Sequence, residues 1–352
     1  MDQVIKVLKS GMIVQGAQVA ELEAAFNNLC KTKYAVATNS GTAALHTALY
    51  AIGIQPSDEI ITTPFSFIAS TNCILMMGAK PVYVDIDPTS FNIDPHQIEK
   101  AITKKTKAIL VVDLYGTPAD YTIINNIAKK HNLLVIEDAA QSINAVYRKK
   151  KTGSLADIAC FSLYATKNIT SSEGGMITTN KKDFFERAKV FRNQGQSTKQ
   201  KYNYVDLGFN YRMTNLEAAI GLAQFTRIES VTKKRKKIAE LYTKAFKDIK
   251  GIILPAKVKN AESVWHQYTM RITKDFKLSR DKMRNHLLTK GIQTEVYYPH
   301  PLYSYPHIQK IVGKIKELPN VFLVSKEVLS LPIYPSLSDD EVRYIIKTIT
   351  NI

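Results

Sequence analysis

An alternation restricts this chain more than any other feature. Over residues 1–229, short β-rich runs take turns with stretches of helical periodicity. The β-rich runs span 34–38, 59–63, 81–84, 108–112, 133–137, 158–161 and 175–179. The helical stretches span 19–30, 42–52, 67–77, 95–103 and 122–131. Alternation of this kind predicts βαβ units, hence a mostly parallel central sheet covered by helices on both faces. The runs at Ala108 and Leu133 are almost continuously apolar, as strands buried on both faces are. Near Leu216 the texture changes. An Ala-rich apolar stretch to Phe225 leads into a long, strongly basic amphipathic helix reaching about Lys247. A second, shorter alternation comes next: a strand at 268–272, a helix at 280–290, a Tyr/Pro-rich loop at 297–306, and helices at 321–329 and 339–348. The expected architecture is α/β, with a large domain at 1–229. A smaller C-terminal α+β domain at 230–352 opens with the long connecting helix.

Several classes are excluded early. The three cysteines, Cys30, Cys73 and Cys160, are too few and too far apart for a disulfide scaffold or a Cys-based zinc module, and no metal ligand set is expected. No apolar run approaches the ~20 residues of a membrane span, and the first residues lack a signal-peptide core, so a soluble cytoplasmic protein with no membrane partner is expected. The charge is unusual. Lys and Arg number 48 against 31 Asp and Glu, a net +17, which raises nucleic acid as a partner. The densest basic runs, 148–151 and 233–237, carry no interleaved aromatics and no nucleic-acid motif accompanies them. They read instead as an exposed turn and a solvated helix face, so no nucleic-acid partner is expected.

Three local patterns carry chemistry. Lys167 stands in FSLYATKNITSSEGG (residues 161–175), after a short strand and among small and hydroxyl residues. A Schiff-base lysine needs such a confined, partly desolvated place to keep its amine nucleophilic. Asp138 ends the buried run in LLVIEDAAQS (133–142). That is where open α/β sheets present ligand-binding groups, and a carboxylate there can hold a pyridinium nitrogen protonated. The competing role is a helix N-cap. Glu137 should point to the opposite face of the strand. Ser40 to Leu45, SGTAAL, follows a strand and opens a helix. Small residues there let backbone amides approach a phosphate, with the helix dipole favouring the anion. Neither the Walker loop nor the dinucleotide fingerprint is present, and simple N-capping is the alternative. All three patterns lie at strand ends and can converge on one sheet edge. Together they specify a phosphorylated pyridine aldehyde.

With these motifs the chain resembles the DegT/StrS family of pyridoxal-phosphate sugar aminotransferases, of fold type I. The likeness runs from VIKVLKSGMIVQG (4–16) to the C-terminal domain. It is densest in SGTAAL, TPFSFIASTNCILMMGAKPVYVDID (63–87), EDAAQS, FSLYATKN and GFNYRMTNLEAAIGLAQ (208–224). The resemblance implies catalytic roles for Lys167, as Schiff-base and proton-shuttling residue, and for Asp138 at the pyridinium nitrogen. It implies Gln141 at the cofactor's phenolic oxygen, Gly41, Thr42 and Ser162 around the phosphate, and Phe67 on the ring face. Asn210 would reach the cofactor of a neighbouring subunit, so a homodimer with shared active sites is implied. Tyr297, Tyr298 and His300 fall in the loop where the family places sugar contacts, although Tyr297 and Tyr303 stand where histidine is common. Relatives carry a longer segment before the first shared helix, so Gly11, Met12, Ile13 and Val14 would be the first residues near substrate. The implied reaction moves an amino group from L-glutamate to a nucleotide-linked 4-keto-6-deoxyhexose, giving a 4-amino-4,6-dideoxy sugar. A 3-keto sugar is the alternative. Family members that act as dehydratases replace the lysine with histidine, and Lys167 argues against that branch. A non-catalytic regulatory relative would be expected to lack Lys167 or Asp138, and both are present.

Overall fold

The computed structural model describes residues 2–352. A seven-stranded sheet forms the centre. Its strands lie in the order Tyr34–Thr38, Gly175–Thr179, Ile158–Ser162, Leu134–Asp138, Thr106–Val112, Glu59–Thr62 and Lys80–Tyr83. Neighbours pair in parallel from Ile158–Ser162 onward. Gly175–Thr179 alone runs against both its neighbours. Six strands therefore point the same way, and their C-terminal ends share one edge. Thr106–Val112 and Leu134–Asp138 are buried along nearly their whole length, as their apolar runs require.

The connecting helices cover both faces, among them Ala17–Cys30, Gly41–Ala51, Ala69–Met76 and Tyr121–Lys130. The helix Lys182–Arg192 lies in a charged stretch without clear apolar periodicity, so the sequence pattern does not announce it. Its Phe184, Ala188 and Phe191 face inward. The stretch 95–103 is split into an α-helical turn, Pro95–Ile98, and a 3-10 turn, Glu99–Ala101.

Beyond Phe225, helix Ile228–Phe246 leads to a three-stranded antiparallel sheet of Ile252–Ile253, Tyr268–Ile272 and Val328–Leu331. Its core is separate, built on Tyr242, Phe246, Met270, Leu287 and Ile345. One expectation fails here. The helix over 321–329 stops at Glu327, and Val328–Leu331 is a strand. A short apolar run does not reveal its period, and pairing with Tyr268–Ile272 decides it. The 297–306 loop likewise contains a 3-10 turn, Leu302–Ser304, and runs into helix Pro306–Val312.

The basic runs are dispersed. Residues 148–149 form the turn of a hairpin between Val146–Tyr147 and Lys150–Lys151. Lys233, Lys234, Lys236 and Lys237 are exposed on the long helix, but Arg235 is not. Its side chain lies buried, and Nη1 donates to the carbonyls of Trp265, His266 and Ile333 at 3.1, 3.0 and 2.6 Å. Helical spacing explains this: Arg235 shares the inward stripe with Val231, Ile238 and Ala239. The helix face is thus solvated at four positions and structural at the fifth. Arg235→Met should lower stability by about 2–3 kcal/mol in urea denaturation, because three buried carbonyls lose a charged donor. Lys236→Met should change it by less than about 0.5 kcal/mol.

Candidate active site

Strand direction builds the site. The segments leaving Thr38, Thr62, Asp138 and Ser162 all emerge at the shared edge, where ligands of open α/β sheets bind. They enclose a cavity of ≈ 370 Å³, lined among others by Ser40, Gly41, Thr42, Phe67, Ser70, Asp138, Gln141, Ser162, Lys167, His266, Tyr297 and Tyr298. That volume is in the range of small-molecule sites.

The anion end is the N-terminus of helix Gly41–Ala51. The Ser40 hydroxyl caps it by accepting from the Ala43 amide at 3.0 Å. The amides of Gly41 and Thr42 have no intrahelical partner and stay free for an anion. Two glycines allow this turn to lie against the sheet. A Cβ at Gly175 would stand 2.3 Å from the Ser40 carbonyl oxygen, and one at Gly41 would stand 2.8 Å from Ser162 Cβ. Gly175→Ala should therefore displace the Ser40–Gly41 turn. We expect at least about tenfold weaker cofactor binding by fluorescence titration, with a stability loss of about 1–3 kcal/mol.

Asp138 closes the cavity floor. Its Oδ2 accepts from Ser70 Oγ at 2.8 Å and Oδ1 from the Ala140 amide at 3.2 Å. Ser70 is paired in turn with Ser66 at 2.9 Å. Burial raises the Asp138 pKa, while the Ser70 and Ala140 hydrogen bonds and the Lys167 charge oppose the rise. Glu137 lies on the other face, as its place in the strand predicts, and accepts from the amides of Gly153 and Leu155 at 2.7 and 3.1 Å. Lys167 follows the Ile158–Ser162 strand in the loop that returns to Gly175. Burial lowers its pKa from 10.5 to about 8, with Asp138 pulling the other way. The neutral share of this amine near physiological pH is therefore far greater than that of an ordinary lysine, though still the minority form.

Other expected residues divide. Gln141 lines the cavity, its amide fixed by accepting from the Tyr115 amide at 2.7 Å and donating to the Tyr298 hydroxyl at 3.3 Å. Tyr297 and Tyr298 also line it. Phe67 lies ahead of helix Ala69–Met76 rather than on it, and its 57% exposure at the cavity marks it as something other than a core aromatic. His300 is exposed and does not line the cavity; it lies beside Tyr305. Tyr303 is buried against Tyr83 and its hydroxyl accepts from the Leu318 amide, so it serves the core. Gly11, Met12, Ile13 and Val14 are outside this cavity. They are exposed and tied to the start of helix Asn215–Phe225 by the Asn215 side chain and amide. Asn210 is exposed, bridged to Asn193, and also outside the cavity. Sequence reasoning missed Ser66, Ser70 and His266. Ser66 lies in the bend before helix Ala69–Met76 and Ser70 in its first turn, and His266 lies far along the chain from Lys167, so no local motif marks either.

The profile of the DegT/DnrJ/EryC1/StrS aminotransferase family matches residues 1–350. The chain belongs to this family. Among curated relatives, the Geobacillus stearothermophilus "pleiotropic regulatory protein" is 41% identical over 98% of this chain and 91% of its own length. GDP-perosamine synthase of Caulobacter vibrioides is 39% identical, covering 96% and 90%. The dTDP-3-amino-3,4,6-trideoxy-alpha-D-glucose transaminase of Streptomyces venezuelae is 35% identical, covering 98% and 90%. Among solved structures, S. venezuelae DesV superposes with a TM-score of 0.95 at 34% identity, over 99% of this chain and 93% of that one. Bacillus subtilis NtdA, solved with bound cofactor PMP, gives 0.92 at 32% identity, over 99% and 80%. The chain is an aminotransferase of fold type I. The regulatory name of one relative does not weaken that, since Lys167 and Asp138 share one cavity here. No helix among the described residues is long and apolar enough to cross a membrane, and no cluster of metal-ligating side chains occurs among them.

Proposed function

We propose that the protein uses pyridoxal phosphate to transfer the amino group of L-glutamate to a nucleotide-linked 4-keto-6-deoxyhexose, forming a 4-amino-4,6-dideoxy sugar. One observation carries the reading: a depressed-pKa lysine, a buried carboxylate and a free helix N-terminus line one cavity. They fit the cofactor's aldehyde, ring nitrogen and phosphate respectively, and Gly41 and Gly175 keep the phosphate turn where a Cβ would push it away. When bound, the cofactor supplies an electron sink that makes the donor's α-hydrogen acidic.

The chain's own residues do the rest. The amides of Gly41 and Thr42, with Ser162, would hold the phosphate. Phe67 would cover the ring and Gln141 would meet the phenolic oxygen. Asp138, ionised and helped by Ser70, would hold the proton of the ring nitrogen. Lys167 Nζ would hold the cofactor covalently at rest; freed as a neutral amine, it would take the donor's α-proton and return it to the carbon on the far side of the transferred nitrogen. Tyr297 and Tyr298 face the sugar. Asn210 and the exposed Gly11–Val14 segment serve a second copy of the chain in a homodimer with shared sites, which accounts for their absence from this chain's own cavity.

Transfer to carbon 4 is supported by the GDP-perosamine synthase relatives. A second reading, carbon 3, is favoured by the 3-amino transaminase relative. Incubation with pyridoxal phosphate, glutamate and a panel of nucleotide 3-keto and 4-keto sugars decides between them. Mass spectrometry and NMR should place nitrogen on carbon 4. Nitrogen on carbon 3, or no amino sugar from any 4-keto substrate, would overturn the proposal.

A further inference from the structure

His266 lines the cavity, yet the proposed reaction gives it no task. Its surroundings settle its chemical form. Asn168, the residue after Lys167, donates from Nδ2 to the Val264 carbonyl at 3.2 Å. A carbonyl can only accept, so the other arm of that amide, Oδ1, faces His266 Nδ1 at 3.2 Å. The reverse amide orientation would set two oxygens against each other. Oδ1 can only accept, so Nδ1 carries the ring proton. The ring is neutral: burial pushes its pKa well below 6.5, and the positive charges of Lys167 and Arg235 push it further down. A neutral imidazole has one N–H, so Nε2 is bare. Among the described residues Nε2 has no hydrogen-bond partner, and it is not one of the sealed, unpartnered polar atoms.

The segment bearing His266 is held from several sides. Trp265 adopts φ 51°, an uncommon conformation for a bulky residue. Arg235 grips the Trp265 and His266 carbonyls. The Val264 and Gln267 amides donate to Gly116 and Tyr115 of the large sheet's domain at 3.0 and 3.3 Å. Asn168 joins this fixed segment to the Lys167 loop.

We propose that Asn168 and His266 form a positioning couple that fixes Lys167 from the second domain and presents a bare Nε2 to the cavity as a hydrogen-bond acceptor. The inference rests on Lys167 being the cofactor-bearing lysine. Borohydride labelling separates the two. Reduction onto another lysine would sink the site assignment, whereas reduction onto Lys167 leaves the couple to stand or fall on the His266 variants.

The test uses the holoenzyme and two substitutions of His266. Glutamine can donate its amide N–H to Asn168 and still present an oxygen acceptor to the cavity. Leucine has comparable bulk and can do neither. In single-turnover reaction with glutamate, H266L should slow the step by about 10- to 100-fold, with the apparent glutamate Kd within about threefold. H266Q should stay within about fivefold of wild type. A purely structural role would let both variants keep the rate, or would make both lose it with melting temperature, and either result overturns the couple. Nitrogen-15 imidazole spectra, assigned by the signal lost in H266Q, give a readout independent of activity. The wild-type His266 should show a protonated Nδ1, an unprotonated Nε2 and no titration between about pH 6 and 8. The opposite tautomer, or a ring that titrates in that window, would overturn the proposal.

Discussion

Lys167→Ala should abolish transamination, slowing the glutamate half-reaction by at least about 10⁴-fold, while the fold stands. The amine has two duties in one cavity, covalent attachment and proton transfer, and among the described residues no second lysine lines that cavity to replace it. Borohydride should fix the cofactor to Lys167 in the wild type and to nothing in the variant. Labelling of a different lysine would refute the assignment. The pH dependence follows from the depressed pKa. Cofactor loading of the wild type needs the neutral amine, so its rate should rise with pH and level off above about 8, rather than near the ordinary 10.5. Stability runs in the opposite sense to a paired lysine. An amine whose folded pKa is lowered destabilises the fold wherever the unfolded chain would protonate it. That cost is absent above about 10.5 and complete below about 8. Removing Lys167 removes the cost, so the cofactor-free variant should melt no lower than cofactor-free wild type at about pH 7. A large fall in melting temperature would show that the side chain holds structure instead.

Much of this was legible in the order of residues because local pattern and global fold agree. The strands at Tyr34–Thr38, Gly175–Thr179 and Tyr268–Ile272 have the bounds their alternation predicts. Asp138, Lys167 and the Ser40–Thr42 turn line one cavity because Asp138 ends a strand and the others follow one, and parallel strands deliver their ends and following loops to one edge. What escaped depends on contacts remote in sequence. The reversal of Gly175–Thr179 is a pairing property that no local period encodes. Val328–Leu331 is a strand because Tyr268–Ile272 offers it an edge. Arg235 reads as one more surface charge until three carbonyls from two distant segments converge on it. His266 and Ser70 gain their meaning only from Asn168 and Asp138. His300 stands outside the cavity: its loop lines it at Tyr297 and Tyr298, a placement that local sequence does not separate.

Asp138→Asn should lower the rate of the glutamate half-reaction by about 10²–10³-fold while leaving borohydride trapping on Lys167 intact. The substitution keeps volume and removes charge. In the wild type both carboxylate oxygens accept, one from Ser70 and one from the Ala140 amide. An asparagine offers one acceptor. The Ala140 amide cannot reverse, so it keeps that oxygen, and the new NH₂ must face Ser70, whose hydroxyl can turn to accept. The fold therefore tolerates the change, and melting temperature should move little. What is lost is the negative charge beside the ring nitrogen, which then has no partner to hold its proton. Glu137 cannot substitute, because its carboxylate lies on the opposite face and is committed to the amides of Gly153 and Leu155. The loss should therefore fall on kcat, with the KM for glutamate within a few-fold of wild type, since the donor binds before the charge is needed. A kcat within about tenfold of wild type would mean that Asp138 does not face the ring nitrogen and that its burial serves only to cap the Asp138–Gln141 turn.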